Sequence, residues 1–190
     1  MLIGAVPREQ MADELKTIYD HNERLIGNTD FIQAAANAPE VIDWYFSSFY
    51  GRVFHGGRVD RRIMELVRLR LARTHGCALC NAGDTADALD AGIDPRAVAA
   101  IGAWPEPIDP AYFSDAEHAA LRYADQMALQ NMDGHLDEEL YEDLRRAFSD
   151  AEIFELGVAM AVLTGMAKFL FIADLVPTEA SCPVRAGARG

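Results

Sequence analysis

A nearly uninterrupted apolar segment limits the folds that this sequence can adopt. Over the 18 residues from Leu156 to Ala173, only Thr164 and Lys168 interrupt the apolar run. This length barely reaches the roughly 17–25 residues of a transmembrane helix, and the segment lacks flanking Lys/Arg clusters and aromatic belts. A helix that is apolar nearly all round must be covered. We therefore expect a central helix, buried in the domain or in an oligomer.

Helical periodicity dominates the remaining sequence, and the alternating β-branched runs and tight turns of strands are absent. The predicted fold class is therefore all-α. A chain of 190 residues has the usual length of one domain. Caps and breakers predict helices over 8–27, 30–54 (punctuated by Pro39), 59–74, 77–91, 94–101, 114–130, 137–148 and 149–175, with a Pro-rich connector over 103–113.

The charge balance argues against some partners. The chain has 30 acidic and 17 basic side chains, a formal charge of −13. Such a charge repels phosphate backbones and anionic lipid surfaces, so no nucleic acid or membrane partner is expected. The first residues, MLIGAVPREQ, lack the positive region of a signal peptide. We expect a cytoplasmic protein.

A pair of cysteines gives the clearest chemical signal. Cys77 and Cys80 are separated by two residues at a predicted helix start, just after Gly76. Residues three apart on a helix have Cβ atoms about 5–6 Å apart, so little movement is needed for a disulfide. Unpaired N–H groups at a helix start stabilise a thiolate and lower its pKa. The pair is therefore predicted to be redox-active.

Two other interpretations of the pair stay open. The cysteines can be small buried hydrophobes, since free Cys is often buried. A zinc site is less favoured, because it needs about four ligands and the sequence has no second C-x-x-C or H-x-x-x-H pair. The third cysteine, Cys182, lies in a tail with little to pack. No nucleotide-binding, haem or metal-ligand motif is present, so no cofactor is expected.

A glutamate in the preceding predicted helix is the second candidate group. Glu65 lies among Ile63, Met64, Leu66 and Val67. A carboxylate in apolar surroundings must be paired or must have a raised pKa, and a raised pKa suits proton transfer. The alternative is a salt bridge to a nearby arginine.

The segment 61–92, RRIMELVRLRLARTHGCALCNAGDTADALDAG, resembles the core signature of the carboxymuconolactone decarboxylase family, in its alkylhydroperoxidase AhpD-like branch. It shares the R-x-x-E-L start, the C-x-x-C pair and the A-x-x-A-G ending, and the resemblance extends over residues 35–176. It implies an AhpD-like all-helical domain that forms a homo-oligomer, a trimer or hexamer, with 177–190 as a flexible tail. It also implies a small-molecule hydroperoxide as substrate and a lipoyl-type or thioredoxin-like thiol donor.

The resemblance also implies roles for three residues. Cys80 would attack the peroxide and Cys77 would resolve the intermediate as a disulfide. Glu65, twelve residues before the first cysteine, would be the base that reaches Cys80 through water.

The sequence departs from the family pattern at two positions. The family's histidine four residues after the second cysteine is Asp84 here, and the position that can carry another histidine is Leu79. We therefore expect an incomplete proton relay with no base near neutral pH. Asp84 is expected to repel a Cys80 thiolate and raise its pKa. Asp84 and His75 are the candidate relay residues, although His75 is more simply an ordinary helix-end residue.

Three function classes follow. The first is an oxidoreductase, a thiol-dependent peroxidase or disulfide reductase. The second is a lyase that decarboxylates a carboxylated lactone, a reaction that needs cations but not two thiols. The third is a non-catalytic helical scaffold, suggested by Asp84 in place of histidine.

Overall fold

The structure, a computed structural model, describes residues 1–179 and Cys182, and it confirms the all-α fold class. Within these residues one isolated β-bridge is the only extended pairing. The helices are α1 (Asp13–Ile26), α2 (Asp30–Ala35), α3 (Pro39–Asp43), a π-helix (Trp44–Phe54), α4 (Arg61–His75), α5 (Ala78–Asp90), α6 (Pro95–Ala100), α7 (Asp115–Gln126), α8 (Glu138–Arg145) and α9 (Asp150–Ile172).

Helix α4 lies at the centre of the fold. It packs against α5, α7 and α9, and twelve of its fifteen residues are buried. Its buried cations are paired, as Arg70 is with Asp125 of α7 at 2.7 Å. This pairing offsets the desolvation of charges in a central helix.

Helix α9, which was predicted to be a central helix buried in the domain or in an oligomer, forms a wall of the domain within this chain. One face, including Leu156 and Met160, is fully buried in the core. The opposite face is uncovered within this chain, with Phe154 74% and Ile172 65% exposed. Among the described residues, α9 is the one helix whose length and apolar composition would suffice to cross a membrane, and 33% of its most apolar window is buried.

Local capping signals were predicted correctly. Ser114 and Glu117 form a capping box at the start of α7, and Ser149 and Glu152 form another at α9. Gly76 ends α4 in the left-handed conformation, at φ 64°. Because these signals depend on neighbouring residues only, they can be recognised without the tertiary structure.

The helical stretch predicted over 30–54 is interrupted at Pro39, as expected, because Pro39 begins a new helix, α3, after α2 has ended. The sequence did not predict the π-helix that follows α3. From Trp44 the turns widen into the π-helix, which closes with a hydrogen bond from the His55 N–H to the Tyr50 carbonyl at 2.9 Å. The wider turns bring the rings of Tyr45, Phe49 and Tyr50 into mutual contact. Packing of bulky rings thus overrides the α-helical pattern.

The start of the predicted flexible tail is paired with the loop between α4 and α5. Thr178 forms a β-bridge with Cys77, and the Glu179 N–H donates to the Gly76 carbonyl at 2.9 Å. Cys182 is buried in the core, 2% exposed, so the prediction that it has little to pack against is wrong. The rest of the predicted tail, 180–181 and 183–190, lies outside the described residues.

Candidate active site

The dithiol lies where α4 ends and α5 begins. Gly76 turns the chain, and Cys77 is the N-cap residue of α5, whose Sγ accepts the Cys80 N–H at 3.2 Å. Cys77 and Cys80 are joined by a disulfide with their Cα atoms 5.2 Å apart. The sequence placed the pair correctly at a helix start. A backbone N–H directed at Cys77 stabilises negative charge on that sulfur when the bond is open.

The two sulfurs differ in access. Cys77 is fully buried, whereas Cys80 is half-buried. Both line a small cavity of about 60 Å³, here called the dithiol cavity. Cys80 also lines an adjoining, more open space of about 470 Å³, here called the cleft. A molecule that enters from the cleft therefore meets Cys80 first.

Asp84 lies one turn after Cys80 on α5 and lines both the dithiol cavity and the cleft. Its carboxylate is 3.3 Å from the Nε of Arg68, and the residue is only 9% exposed. Burial raises the pKa of Asp84 to about 7, although the charge of Arg68 acts in the opposite direction. The expectation that no base near neutral pH lies close to Cys80 is therefore wrong.

Arg68 connects the carboxylates of this region. Its guanidinium also lies 2.5 Å from Glu65 and 2.7 Å from Asp87, and it stacks over Phe54 at 5.0 Å. Burial alone would lower the pKa of Arg68, but the charges of Asp84, Tyr50 and Glu65 raise it well above its usual value. Arg68 is thus a permanent cation surrounded by more negative than positive groups.

Glu65 is paired with arginines and does not line the spaces beside the sulfurs. Its side chain is fully buried and paired with Arg68 and, at 3.6 Å, with Arg61. Burial raises the pKa of Glu65, opposed by the charge of Arg68. Glu65 lines neither the dithiol cavity nor the cleft. The salt-bridge interpretation therefore describes its contacts, and Asp84 is the carboxyl group that shares both spaces with Cys80.

His75 is buried behind the dithiol, 1% exposed, and lines the dithiol cavity. Its Nε2 accepts the Leu129 N–H at 3.2 Å. Burial lowers the pKa of His75 to about 4. A ring that is neutral at pH 7 and already accepts a backbone hydrogen bond has a structural role in joining α4 to the segment after α7.

Acidification should destabilise the protein through His75. Because the folded pKa of about 4 lies below the ordinary 6.5, the unfolded chain binds the proton first. The contribution of His75 to stability is therefore complete above pH 6.5 and falls between pH 6.5 and 4, by about 3 kcal/mol. His75→Gln keeps an acceptor but cannot titrate, so we expect the unfolding free energy of wild type relative to His75→Gln, measured in urea, to fall by this amount between pH 7.5 and pH 4.

The exposed His135→Gln substitution is the control and should retain the wild-type loss. An equal loss of unfolding free energy in wild type and His75→Gln would contradict the assignment of this acid sensitivity to His75.

The π-helix supplies aromatic walls that the sequence analysis missed. Tyr45 and Tyr50 line both the dithiol cavity and the cleft, with their rings edge to face at 5.2 Å. π-Helical turns are rare and often lie at functional sites. The available signal was the density of aromatic residues in WYFSSFY, residues 44–50.

Helix α1 closes the outer side of the cleft with Ile18, His21, Asn22 and Leu25. It packs against α5, where Leu25 faces Gly83. No motif in the sequence indicated that residues almost sixty positions before the dithiol would contribute to the site. Across residues 1–179 and Cys182, no group of three or more His, Cys, Asp or Glu side chains is placed to hold a metal ion.

Residues 39–126 match the carboxymuconolactone decarboxylase family. An uncharacterized protein of Mycobacterium tuberculosis (strain H37Rv) is 37% identical over 112 residues, which are 58% of this chain and 37% of that protein. The uncharacterized protein YdfG of Bacillus subtilis (strain 168) is 28% identical over 98 residues, 52% of this chain and 64% of that protein. The matches thus span less than two thirds of the length of either curated relative.

Two solved structures share the fold over nearly the whole chain. The debrominase Bmp8 in complex with 2,3,4-tribromopyrrole has a TM-score of 0.70 at 16% identity, covering 99% of this chain and 97% of that one. The alkylhydroperoxidase AhpD core of a peroxidase-related protein from Ralstonia eutropha JMP134 has a TM-score of 0.66 at 14% identity, covering 95% of each chain. At such identities the similarity shows the AhpD-like all-α fold alone.

Proposed function

Because residues 39–126 belong to the carboxymuconolactone decarboxylase family, we propose that this protein is a thiol-dependent peroxidase that reduces organic hydroperoxides with its Cys77–Cys80 dithiol. One observation carries the proposal. Cys80, the accessible sulfur, lies at the junction of the dithiol cavity and the cleft, with Asp84 one turn away and Cys77 buried behind it. Nucleophile, proton acceptor and resolving thiol are thus together.

The reaction balances with these groups. The Cys80 thiolate attacks the terminal oxygen of the hydroperoxide, the O–O bond breaks, and the alkoxide leaves and takes up a proton to become the alcohol. Cys80 is then a sulfenic acid. The Cys77 thiol attacks the Cys80 sulfur, the disulfide forms, and the hydroxyl leaves as water. One hydroperoxide is reduced and two thiols are oxidised.

Asp84 is the proton-transfer group of this proposal. A carboxyl group with a pKa of about 7 is well matched to accept the Cys80 proton and to donate it to the departing alkoxide at neutral pH. The family's histidine would have a pKa in the same range. Burial therefore gives the Asp84 carboxyl group a pKa similar to that of the imidazole it replaces. Glu65 is a positioning residue here, because it holds Arg68 and not the sulfur.

Re-reduction needs an external dithiol donor, of the lipoyl or thioredoxin type. The donor thiolate can reach only the half-buried sulfur of Cys80, since Cys77 is fully buried. The leaving group is then Cys77, whose thiolate is stabilised by the Cys80 N–H. A stabilised thiolate leaves faster in thiol–disulfide exchange. The mixed disulfide with the donor therefore forms on Cys80.

The lyase alternative fits the site less well. A carboxylated lactone needs a free cation to hold its carboxylate, but Arg68, the cation that lines the cleft, is already paired with Glu65, Asp84 and Asp87. The carboxylate of such a substrate would be repelled by these side chains, and Arg68 is not free to offset the repulsion. The site therefore favours neutral substrates.

Removal of a halogen from an aromatic ring is a second candidate. The observation that favours it is the aromatic lining of the cleft by Phe31, Tyr45, Phe46 and Tyr50. The reaction uses the same two electrons: the dithiol becomes a disulfide, the ring carbon exchanges its halogen for hydrogen, and hydrogen halide is released. Halide release from a brominated pyrrole, measured with reduced protein, would distinguish it from peroxide reduction.

A homo-oligomer, a trimer or hexamer as the resemblance implies, is also a proposal. It is supported by the uncovered face of α9 and by a nearly wholly apolar groove of about 290 Å³ beside it. Trp44, 50% exposed, and Phe169, 43% exposed, line this groove. Apolar surface of this kind is typical of an interface between subunits.

Mass mapping of the thiols tests the peroxidase proposal. We expect reduced protein, freed of reductant and given one equivalent of cumene hydroperoxide, to lose both thiols of Cys77 and Cys80 to a disulfide within one turnover. Cys182, buried in the core, should remain a free thiol. Cumyl alcohol, the reduced product, is the control and should oxidise nothing. An unchanged Cys77–Cys80 dithiol, or oxidation of Cys182 instead, would refute the proposal.

A further inference from the structure

Helix α1 places two polar side chains, His21 and Asn22, in the wall of the cleft, and Asn22 is the buried one of the two. Asn22 is 7% exposed. Within the part of the chain that the structure describes, its side-chain amide makes no hydrogen bond. The amide atoms are not among the buried polar atoms that lack a partner, so they keep contact with solvent and are available to a ligand in the cleft. The neighbouring side chains Ile18 and Leu25 are apolar.

We propose that the Asn22 amide binds a polar group of the substrate, and that the substrate is a neutral, ring-sized aromatic molecule whose reactive end faces Cys80. This inference deepens the proposed function and rests on it for the role of Cys80. Asn22 lies outside the segment 39–126 that matches the family. The recognition group therefore belongs to helix α1, which precedes the segment that matches the family.

The walls of the cleft define the class of molecule. Flat rings of Phe31, Phe46 and Tyr50, together with Leu25, line a space of about 470 Å³, within the range of small-molecule sites. Rigid aromatic walls suit a flat apolar body, since offset or edge-to-face ring contacts are favourable. A small peroxide such as hydrogen peroxide would leave most of this surface without contacts.

The charges select against anions. Asp84 and Asp87 both line the cleft beside Arg68, and Arg68 is shared among three carboxylates. A ligand that carries its own carboxylate would be repelled. An amide both donates and accepts hydrogen bonds, so its natural complement is a neutral hydroxyl or ring N–H. These features together describe a phenol-like or heteroaromatic substrate.

A matched pair of probes tests the proposal without any turnover. Toluene and p-cresol differ by one phenolic hydroxyl, and their affinities for the disulfide form can be measured by ligand-observed NMR titration. We expect wild type to bind p-cresol more tightly than Asn22→Leu does, with toluene binding little changed. The ratio of p-cresol to toluene affinity should fall about tenfold, the effect of one lost hydrogen bond.

Controls separate recognition from folding. Glu23→Gln changes an exposed residue of the same helix that does not line the cleft, and it should keep the wild-type ratio. Asn22→Leu should melt close to the wild-type temperature, because the amide makes no hydrogen bond within the described chain that the substitution would break. Asn22→Ala should lower the affinity ratio as Asn22→Leu does, without filling the cleft.

Two results would overturn the inference. They are an unchanged affinity ratio in both Asn22 variants, and failure of wild type to bind either ring compound. The test is independent of the thiol chemistry, because it uses the oxidised protein. A wild-type preference for p-cresol in a protein whose dithiol ignores hydroperoxide would refute the peroxidase proposal alone, whereas an active dithiol with no ring preference would refute this inference alone.

Discussion

Cys80→Ser is expected to abolish hydroperoxide turnover completely, because serine at neutral pH cannot supply the nucleophile that a thiolate supplies. The accessible position of Cys80 at the junction of the dithiol cavity and the cleft makes it the sulfur that a peroxide meets first. Loss of peroxide, followed with a lipoyl-type dithiol as donor, should not exceed the rate without protein.

Cys77→Ser should behave differently from Cys80→Ser. It retains the attacking sulfur, so in the absence of any thiol donor we expect one equivalent of hydroperoxide to be consumed per chain, after which the protein stops as a Cys80 sulfenic acid that a dimedone reagent can trap. The two variants thus distinguish attack from resolution. The reverse pattern, with a single turnover in Cys80→Ser, would assign the attack to Cys77.

Cys182→Ala provides the control for both substitutions. Cys182 is buried in the core and has no place in the proposed reaction. We expect full turnover from this variant after correction for folded protein. A loss of turnover equal to that of Cys80→Ser would mean that a third sulfur takes part, which contradicts the two-thiol mechanism.

The start of α5 could be predicted from the sequence because its signals are local. Gly76 ends one helix, and Cys77 begins the next with a spacing that brings it to Cys80. The two capping boxes are equally local, since each is formed by residues three positions apart. Signals of this kind depend on backbone conformation and not on the packing of distant elements.

The chemical state of the site could not be predicted in the same way. Asp84 was expected to be a charged residue that hinders the thiolate, because neighbours in sequence do not reveal burial. Its raised pKa results from its burial where α5 packs against α4, which outweighs the opposing charge of Arg68. Asn22 and Tyr50 reach the cleft from separate elements. Their contribution could not be predicted, because it depends on the tertiary packing of helices that no sequence motif connects.

Asp84→Asn is expected to slow oxidation of Cys80 about 100-fold at pH 8, at the lower end of what a positioned proton-transfer group contributes, and by less at pH 6, where wild-type Asp84 is mostly protonated. The wild-type rate should rise as pH increases through about 7, where Asp84 loses its proton and becomes able to accept that of Cys80. Asparagine is similar in size but cannot accept this proton. The step near pH 7 should therefore disappear from the rate profile, measured by single-turnover oxidation with cumene hydroperoxide.

Two further variants separate proton transfer from charge. Asp87→Asn removes a carboxylate that also pairs with Arg68, at 2.7 Å, but Asp87 does not line the dithiol cavity. It should retain a step in the rate profile, moved to lower pH because the charge of Asp87 helps to raise the pKa of Asp84. Asp84→His restores the residue type of the family pattern and should recover part of the lost rate. Retention of the step in Asp84→Asn would show that another group titrates there.

Asp84→Asn should also stabilise the oxidised protein at high pH. The pH dependence of stability that Asp84 causes is opposite to that of an ordinary paired carboxylate, which stabilises the folded state as pH rises. Since the folded pKa of about 7 lies above the ordinary 3.8, the folded state holds the proton more tightly than the unfolded state. Wild-type stability therefore falls as pH rises from 3.8 to 7, by about 4 kcal/mol through this group. Asp84→Asn lacks that loss, so its unfolding free energy relative to wild type should increase between pH 4 and pH 8. Gain of stability together with loss of rate is the combination expected of a buried acid kept for its chemistry, whereas a merely structural Asp84 would lose stability when replaced.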